Sequence, residues 1–432
     1  MSEPSSAEPA TDGSGWTRRL YALAFAAAVG VSVIYLPQTL LTDLSADLGV
    51  PANMAGVVAT AAQIGYAVGI FFLLPLSDRV QPRRQVSRQL AALTVALVVA
   101  AVSPAIVSVT ISFFAVGFVA NIAQLIIPVA GRLTPADRKG ATTATLVGAL
   151  GVGIFGGRIL ASLLVDTIGW RWVVVVFTAL VVTTIPFARW ALPTELTQAN
   201  VDVSYPALLV ATVRRLRRSP ALVQSSALQF LVFATFTSMW TVSVLYLTGP
   251  HFGWTVRGAG LFGGVGLIAA VITPLGGRFI DRLGTARMTT AFLAILLAAA
   301  TAATLDSRSA WLFGLSMFLV TLANQTIQAA NQHRILTTNS DSPGQANSAF
   351  MVIVFLGGSL GAFLGPLAFT AGGMPLVAIQ AVTLVTLAGA VWGLSLAHER
   401  RHTIAAIPRS HNNTHDTGED HGVLHDDVLV YR

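Results

Sequence analysis

Apolar runs, each closed by a short polar or charged break, account for most of the chain. Twelve are long enough to cross a bilayer as helices: roughly 20–42, 54–76, 89–108, 110–131, 142–165, 170–191, 222–247, 256–276, 288–306, 310–332, 347–370 and 376–397. A helix rising about 1.5 Å per residue needs about 20 apolar residues to span the hydrocarbon core. The breaks at Ser103-Pro104 and at Asp306–Ser309 are the shortest. No segment alternates with period two, which argues against a β-barrel. The pattern predicts an all-α membrane protein. Residues 1–17 are rich in Ser, Ala, Glu and Pro, and 398–432 are polar, so both ends are expected to be disordered. The first run is too long for a signal-peptide core and has no convincing cleavage site, so it reads as an uncleaved span.

Charge placement tests the count. With the N-terminus inside, 22 of the 26 Lys and Arg fall in cytoplasmic segments. Arg171, Arg257 and Arg308 lie outside, and Arg158 alone lies within a span. Such a bias fits twelve spans with both termini cytoplasmic, in the plasma membrane. The longest internal loop, 192–221, carries Arg214, Arg215, Arg217 and Arg218, which read as a stop-transfer flank with anionic lipid as the alternative partner.

Composition narrows the classes. Charged residues are 10% of the chain and hydrophobic ones 54%, with a mean hydropathy of +0.70. Soluble domains carry about 25% charge. The net charge of +7 is spread along the span flanks and makes no groove-sized patch, so nucleic acid is not an expected partner. With no Cys, disulfides and thiolate metal sites are excluded. No Gly-x-x-x-x-Gly-Lys loop is present, and no nucleophile or metal constellation lies inside the spans, so neither an enzyme nor a cofactor is expected. Six of the eight His crowd the tail, several of them four apart, in a context that disfavours a helix.

The chain repeats itself. Leu74-Pro75-Leu76-Ser77-Asp78-Arg79 with Arg83-Arg84 follows the second run, and Gly277-Arg278-Phe279-Ile280-Asp281-Arg282 with Arg287 follows the eighth. The Asp-Arg pairs are 203 residues apart, as are Asn121 and Asn324. Gly153-x-x-x-Gly157 in the fifth run is echoed by Gly361-x-x-x-Gly365 in the eleventh. Parallel six-span repeats are the mark of a rocker-type carrier. The division is a six-helix bundle over 18–191, a cytoplasmic linker over 192–221 and a second bundle over 222–397.

These loops resemble the Asp-Arg-x-Gly-x-x-Arg motif of the major facilitator superfamily. The second-half copy is close; in the first half Leu74 and Gln81 replace glycines. Tyr35-Leu36-Pro37-Gln38, Gln63-Ile64-Gly65-Tyr66, Leu73 through Arg79, and Gly153 through Trp172 are similar to the bacterial efflux branch that includes sugar, purine nucleoside and chloramphenicol exporters. The resemblance implies twelve transmembrane helices and alternating access. It also implies a gate at Asp78, Arg79 and Arg84, with Asp281 and Arg282 as the second copy, and proton antiport. Arg158 stands where related exporters place the Pro of their fifth-span motif.

An arginine inside the membrane is costly unless it meets water, a carbonyl or an anion, so Arg158 reads as a cavity cation, with helix capping or snorkelling as the structural alternative. Amides inside spans want partners in a dry bundle. Gln38, Gln63, Asn121, Gln124, Asn324 and Gln328 are therefore candidates for substrate contact or helix glue, and Gln229 and Asn331 join them. Tyr35, Tyr66, Phe230, Phe233 and Trp240 are candidate aromatic walls. Gly153, Gly157, Gly361 and Gly365 form small-residue faces expected to pack the halves together. No Asp, Glu or His occupies the middle of a span, which leaves Asp43 as the candidate for proton coupling. The sequence reads as a monomeric exporter of a small organic compound, possessing membrane lipids and protons as its other partners. Uptake of a sugar, nucleoside or organic anion is the alternative.

Overall fold

A computed structural model of the chain describes residues 13–134, 139–194, 204–304, 309–339 and 343–405. All regular structure among them is helical. Ten helical segments are long and apolar enough to cross a membrane. Two of them, Thr145–Ala191 and Gly344–Ala397, hold 47 and 54 residues. At about 1.5 Å per residue each would measure about 70 Å or more, over twice the hydrocarbon thickness. Both turn back midway. Gly169 (φ 75°, ψ 161°) divides the first, and Gly372 with Gly373 (φ 66°, ψ −160°) divides the second. Those dihedrals exclude a Cβ, so glycine makes each corner. The count becomes twelve, with the corners where the sequence ends its fifth and eleventh runs.

The first bundle comprises Gly13–Thr39, Ala52–Leu73, Pro82–Val102, the broken pair Ile106–Val119 and Ile122–Leu133, and the two arms about Gly169. The second comprises Pro220–Thr248, the broken pair Val256–Leu261 and Gly263–Leu283, then Thr285–Thr304, Ala310–Thr338 and the two arms about Gly373. The ends extend further than the sequence suggests. The first helix begins at Gly13, inside the stretch expected to be disordered, because Trp16 packs into the core. The last runs to Ala405, past the expected boundary at 397, and Pro408 is the first breaker beyond it. Residues 1–12 and 406–432, with most of the His-rich tail, lie outside the described residues.

The linker holds a helix that the sequence analysis missed, Tyr205–Arg218. It ties the two bundles at the arginine-rich end. Tyr205 Oη donates to the Phe72 carbonyl at 2.6 Å, and Arg215 Nε donates to Asn339 Oδ1 at 2.9 Å.

The glycine faces pack within each bundle instead of between the two. Gly153 abuts the Ala28 carbonyl of the first span and Gly157 abuts Ser32. Gly357, Gly361 and Gly365 abut the Phe230, Ala234 and Ser238 carbonyls of the seventh. Gly65, Gly69 and Gly117 lock the second span to the fourth in the same way. Small residues let these backbones close to Cα–H···O distance. The seam between bundles is of another kind. There Gly56 meets Pro366, Gly151 meets the Ala270 methyl, Gly260 meets the Ser162 side chain, and Gly266 meets the Phe155 ring.

Candidate substrate site

Three backbone irregularities interrupt the spans. The fourth span breaks at Ala120-Asn121 and the eighth at Phe262, and the fifth carries a π turn at Val152–Gly156. A π turn re-aims the residues that follow it and recurs at functional sites. Arg158 is the second residue past this one.

Arg158 is 6% exposed and lies between the two bundles. Its Nη2 donates to Gln38 Oε1 of the first span. Its guanidinium lies 5.2 Å from the Tyr35 ring centre, 5.7 Å from Phe155 and 5.0 Å from Trp240. A cation over a desolvated aromatic face gains about 2 kcal/mol, which offsets part of the cost of burial. Trp240 belongs to the seventh span, and its Nε1 donates to Thr321 Oγ1 of the tenth at 2.9 Å, which fixes the ring. Ser162 Oγ donates to the Arg158 carbonyl at 2.7 Å. Gln38, Thr39, Arg158, Ser162, Trp240 and Ser243 line a cavity of about 10 Å³, room for about one water.

Two donors there are unmet. Arg158 Nε and Gln38 Nε2 are buried without a partner. Each orphan costs about 1–3 kcal/mol. No carboxylate pairs with Arg158 among the described residues.

The other amides divide into two groups. Gln63 lies beside the Tyr35 hydroxyl and Gln124 beside that of Tyr66, so both extend the polar lining from Arg158. Gln124 and Gln328 are half-buried. Asn121 and Asn324 are instead engaged within their bundles. Asn121 caps the broken fourth helix: its Nδ2 donates to the Phe118 carbonyl at 2.8 Å, and its Oδ1 accepts from Gln89 at 3.3 Å. Asn324 Oδ1 accepts from Gln229 at 3.1 Å, and Asn331 donates to Gln229 at 3.3 Å. Tyr66 meets Phe355 across the seam in a tilted contact with ring centres 4.2 Å apart, and Phe233 stacks on Phe236 and meets Phe355 edge to face. Sequence reasoning missed Phe155 and Gln89. The spacing of Phe155, one turn before Arg158, was the available signal for the first.

At the arginine-poor end the bundles meet through Asp166 Oδ2, which accepts from the Arg257 amide at 3.3 Å. Asp43 lies on the short helix Leu41–Asp47, beyond the first span. Burial pushes its carboxyl above the usual aspartate range against a bond from Thr42, and the Asp166 charge adds to the rise. Asp47 goes the other way: the Trp170 indole N–H at 2.9 Å and Arg171 hold it below that range. At the arginine-rich end a one-turn helix, Pro75–Asp78, closes the second span, and Gln85 Nε2 donates to the Leu73 carbonyl at 2.6 Å. Arg84 lines a cavity of about 390 Å³ with Arg83, Arg88 and Arg189, and Arg79 is exposed. The side chains of Asp78, Asp281 and Arg282 lie outside the described residues.

Comparison with known proteins now decides the family. The model of the Major Facilitator Superfamily matches residues 20–366. The chain belongs to that superfamily. A probable transporter of Streptomyces coelicolor is 34% identical over 377 residues, which is 85% of this chain and 84% of the relative. The uncharacterized Escherichia coli transporter YgaY is 28% identical over 374 residues, 86% of this chain and 93% of its own. Among solved structures, the nucleoside transporter NupG superposes with a TM-score of 0.72 at 12% identity, covering 88% of this chain and 99% of that one. The human organic anion transporter MFSD10 gives 0.66 at 16%, covering 87% and 99%. This transporter therefore has the twelve-helix fold of its superfamily, is a multi-pass membrane protein, and is a carrier and not an enzyme.

Proposed function

We propose that this transporter exports a small organic compound across the plasma membrane by alternating access, in exchange for protons, with both termini cytoplasmic. The observation that carries the reading is Arg158. It is the buried cation at the junction of the bundles, and it touches Gln38 and Tyr35 of one and Trp240 of the other. A solute held there is gripped by both moving bodies, so binding and rocking are coupled. Gln63, Gln124 and Gln328 extend the contact, while Asn121 and Asn324 serve it by fixing the helices around it. Closure at the arginine-poor end through Asp166 and Arg257 makes the site's exit the gate that must part for export. The turn bearing Asp78, Arg79 and Arg84 closes the opposite end, echoed by Asp281 and Arg282. Asp43 takes the proton, since burial already favours its neutral form. The transporter works as a monomer.

The test is accumulation of labelled antibiotics, nucleosides and sugars in an efflux-deficient bacterium expressing the chain, with and without a protonophore, beside Arg158→Ala. Depletion of one compound, reversed by the protonophore and by the substitution, is the expected result. Accumulation above the empty-vector level makes the direction inward and replaces export by uptake of a sugar, nucleoside or organic anion. Transport unaffected by Arg158→Ala refutes the site.

A further inference from the structure

We infer that the solute carries an anionic oxygen group on an aromatic or apolar body, and that Arg158 Nε and Gln38 Nε2 are its two receptors. This rests on Arg158 being the substrate site. The argument starts from the sign of what is unmet. The orphans on the side chains lining the cavity itself, Arg158 and Gln38, are both N–H donors, one on a side chain that stays protonated at any physiological pH, while Gln63, outside that lining, has an unmet donor and an unmet acceptor. Arg158 is 6% exposed and Gln38 1%, so bulk water satisfies neither. The hydroxyl protons beside them are already committed: Ser162 Oγ donates to the Arg158 carbonyl and Ser243 Oγ to the Trp240 carbonyl.

A neutral carbonyl could meet one donor and would leave the guanidinium charge uncompensated. A carboxylate meets both donors at once and supplies the missing charge, and bonds between ionised partners are the strong ones. Every carboxylate that would otherwise neutralise Arg158 is missing from its surroundings among the described residues, so the charge is left for the ligand to balance. The walls define the remainder of the molecule. Trp240 stands 5.0 Å from Phe155 across the seam and 6.1 Å from Phe262, and the Tyr35 ring lies 5.2 Å from the guanidinium. A flat ring attached to the carboxylate adds to the tilted aromatic cluster of Phe155, Trp240 and Phe262. The present cavity, about 10 Å³, takes only the head of such a molecule, so the bundles part to admit the ring.

The experiment uses the whole chain purified into nanodiscs, with tryptophan emission and thermal stability as readouts. The probes are two matched pairs, benzoate with benzamide and indole-3-acetate with indole-3-acetamide, plus sodium nitrate and sodium chloride as bare anions. The acids are expected to bind at least about tenfold more tightly than their amides, by the advantage of a charge-assisted bond. Arg158→Gln is expected to erase that preference. Arg158→Lys is expected to keep part of it, since the charge remains and the Nε donor is lost. Gln38→Leu is expected to weaken the acids severalfold and leave the amides unchanged. Amides that bind as well as acids, acids that keep their advantage in Arg158→Gln, or failure of every acid to bind would each overturn the proposal. Nitrate or chloride protecting the chain as well as benzoate would overturn its organic part. The variants are compared only as monodisperse protein of normal elution, and Arg158→Lys carries the test if Arg158→Gln fails to fold. The exporter reading fails separately: acids that bind but are not exported refute export alone, and a neutral compound exported in an Arg158-dependent way refutes the anion class alone.

Discussion

Replacing Gly361 by Ala tests the packing within the second bundle. A Cβ at Gly361 would stand 2.8 Å from the Ala234 carbonyl carbon and 2.9 Å from its Cα. Carbon atoms rest at about 3.5–4.0 Å, so the eleventh span must move off the seventh by roughly 0.7–1 Å over a turn. Overpacking on that scale costs about 1–3 kcal/mol. Removing a mid-helix glycine returns at most about 1 kcal/mol. The Ala234 carbonyl oxygen stands closer still and is main chain, which puts the cost in the upper part of that range and the net loss at about 1–2 kcal/mol, or a few degrees of apparent melting temperature for a large domain. The control is Gly389→Ala in the twelfth span, where a Cβ meets nothing within 4 Å. It gains the helix preference with no clash and is expected to melt at or above the parent. The assay heats detergent-solubilised fluorescent fusions and follows the loss of the monodisperse elution peak. If Gly361→Ala melts with the parent, or Gly389→Ala falls as far, the inference that a backbone contact locks these helices is wrong.

Gly169→Ala forces a Cβ into a region of positive φ with extended ψ that is essentially confined to glycine, at a cost of about 1–3 kcal/mol; folded yield and melting temperature are expected to fall, and an unchanged yield would count against the corner. Asp43 has a raised carboxyl pKa, so the folded chain holds that proton more tightly than the unfolded one and gains stability as pH falls through the raised value; Asp43→Asn is expected to flatten melting temperature against pH there and to remove protonophore sensitivity from transport. Asp47 has a lowered one, so its contribution is present above the ordinary aspartate value of 3.8 and is lost as pH falls below it; Asp47→Asn is expected to remove that acid-side loss in a pH series of melts. Reporter fusions within 192–221 are expected to read as cytoplasmic, and an external signal would overturn the orientation.

The twelve spans were legible because span length is a one-dimensional property, fixed by bilayer thickness. The internal repeat and the isolation of Arg158 were legible for the same reason: both are visible on a line. Partner choice is not. The Gly153 and Gly361 faces announce close packing, but nothing in their spacing says whether the first or the seventh span receives them or the opposite bundle does. Asn121 looked like one member of a substrate-facing pair with Gln124, yet the helix breaks at Ala120 and the Asn121 amide is taken up by that break. The Asn121 side-chain carbonyl oxygen is taken up in turn by Gln89, 32 residues earlier, a partner that no local pattern encodes. The helix Tyr205–Arg218 was hidden by its arginines, which dominate the composition while Leu208 and Thr212 face inward. Phe155 stands at one helical turn from Arg158, but only the π turn brings its ring beneath the guanidinium.

The two kinds of glycine contact divide the molecule mechanically. Where Gly361 or Gly153 presses on a carbonyl, the obstacle is main chain, and no rotamer change relieves it. Where Gly266 faces the Phe155 ring, a side-chain torsion moves the obstacle, whereas the Ser162 Cβ at Gly260 and the Ala270 methyl at Gly151 move only with their own helices. The contacts inside each bundle are thus mainly glycine against main chain, while those at the joint are glycine against side chains. Substitutions at Ala270 and Pro366 therefore change what meets at the joint and leave the backbone contacts within each bundle in place, whereas Ser162 and Phe155 belong to the joint and to the Arg158 site at once.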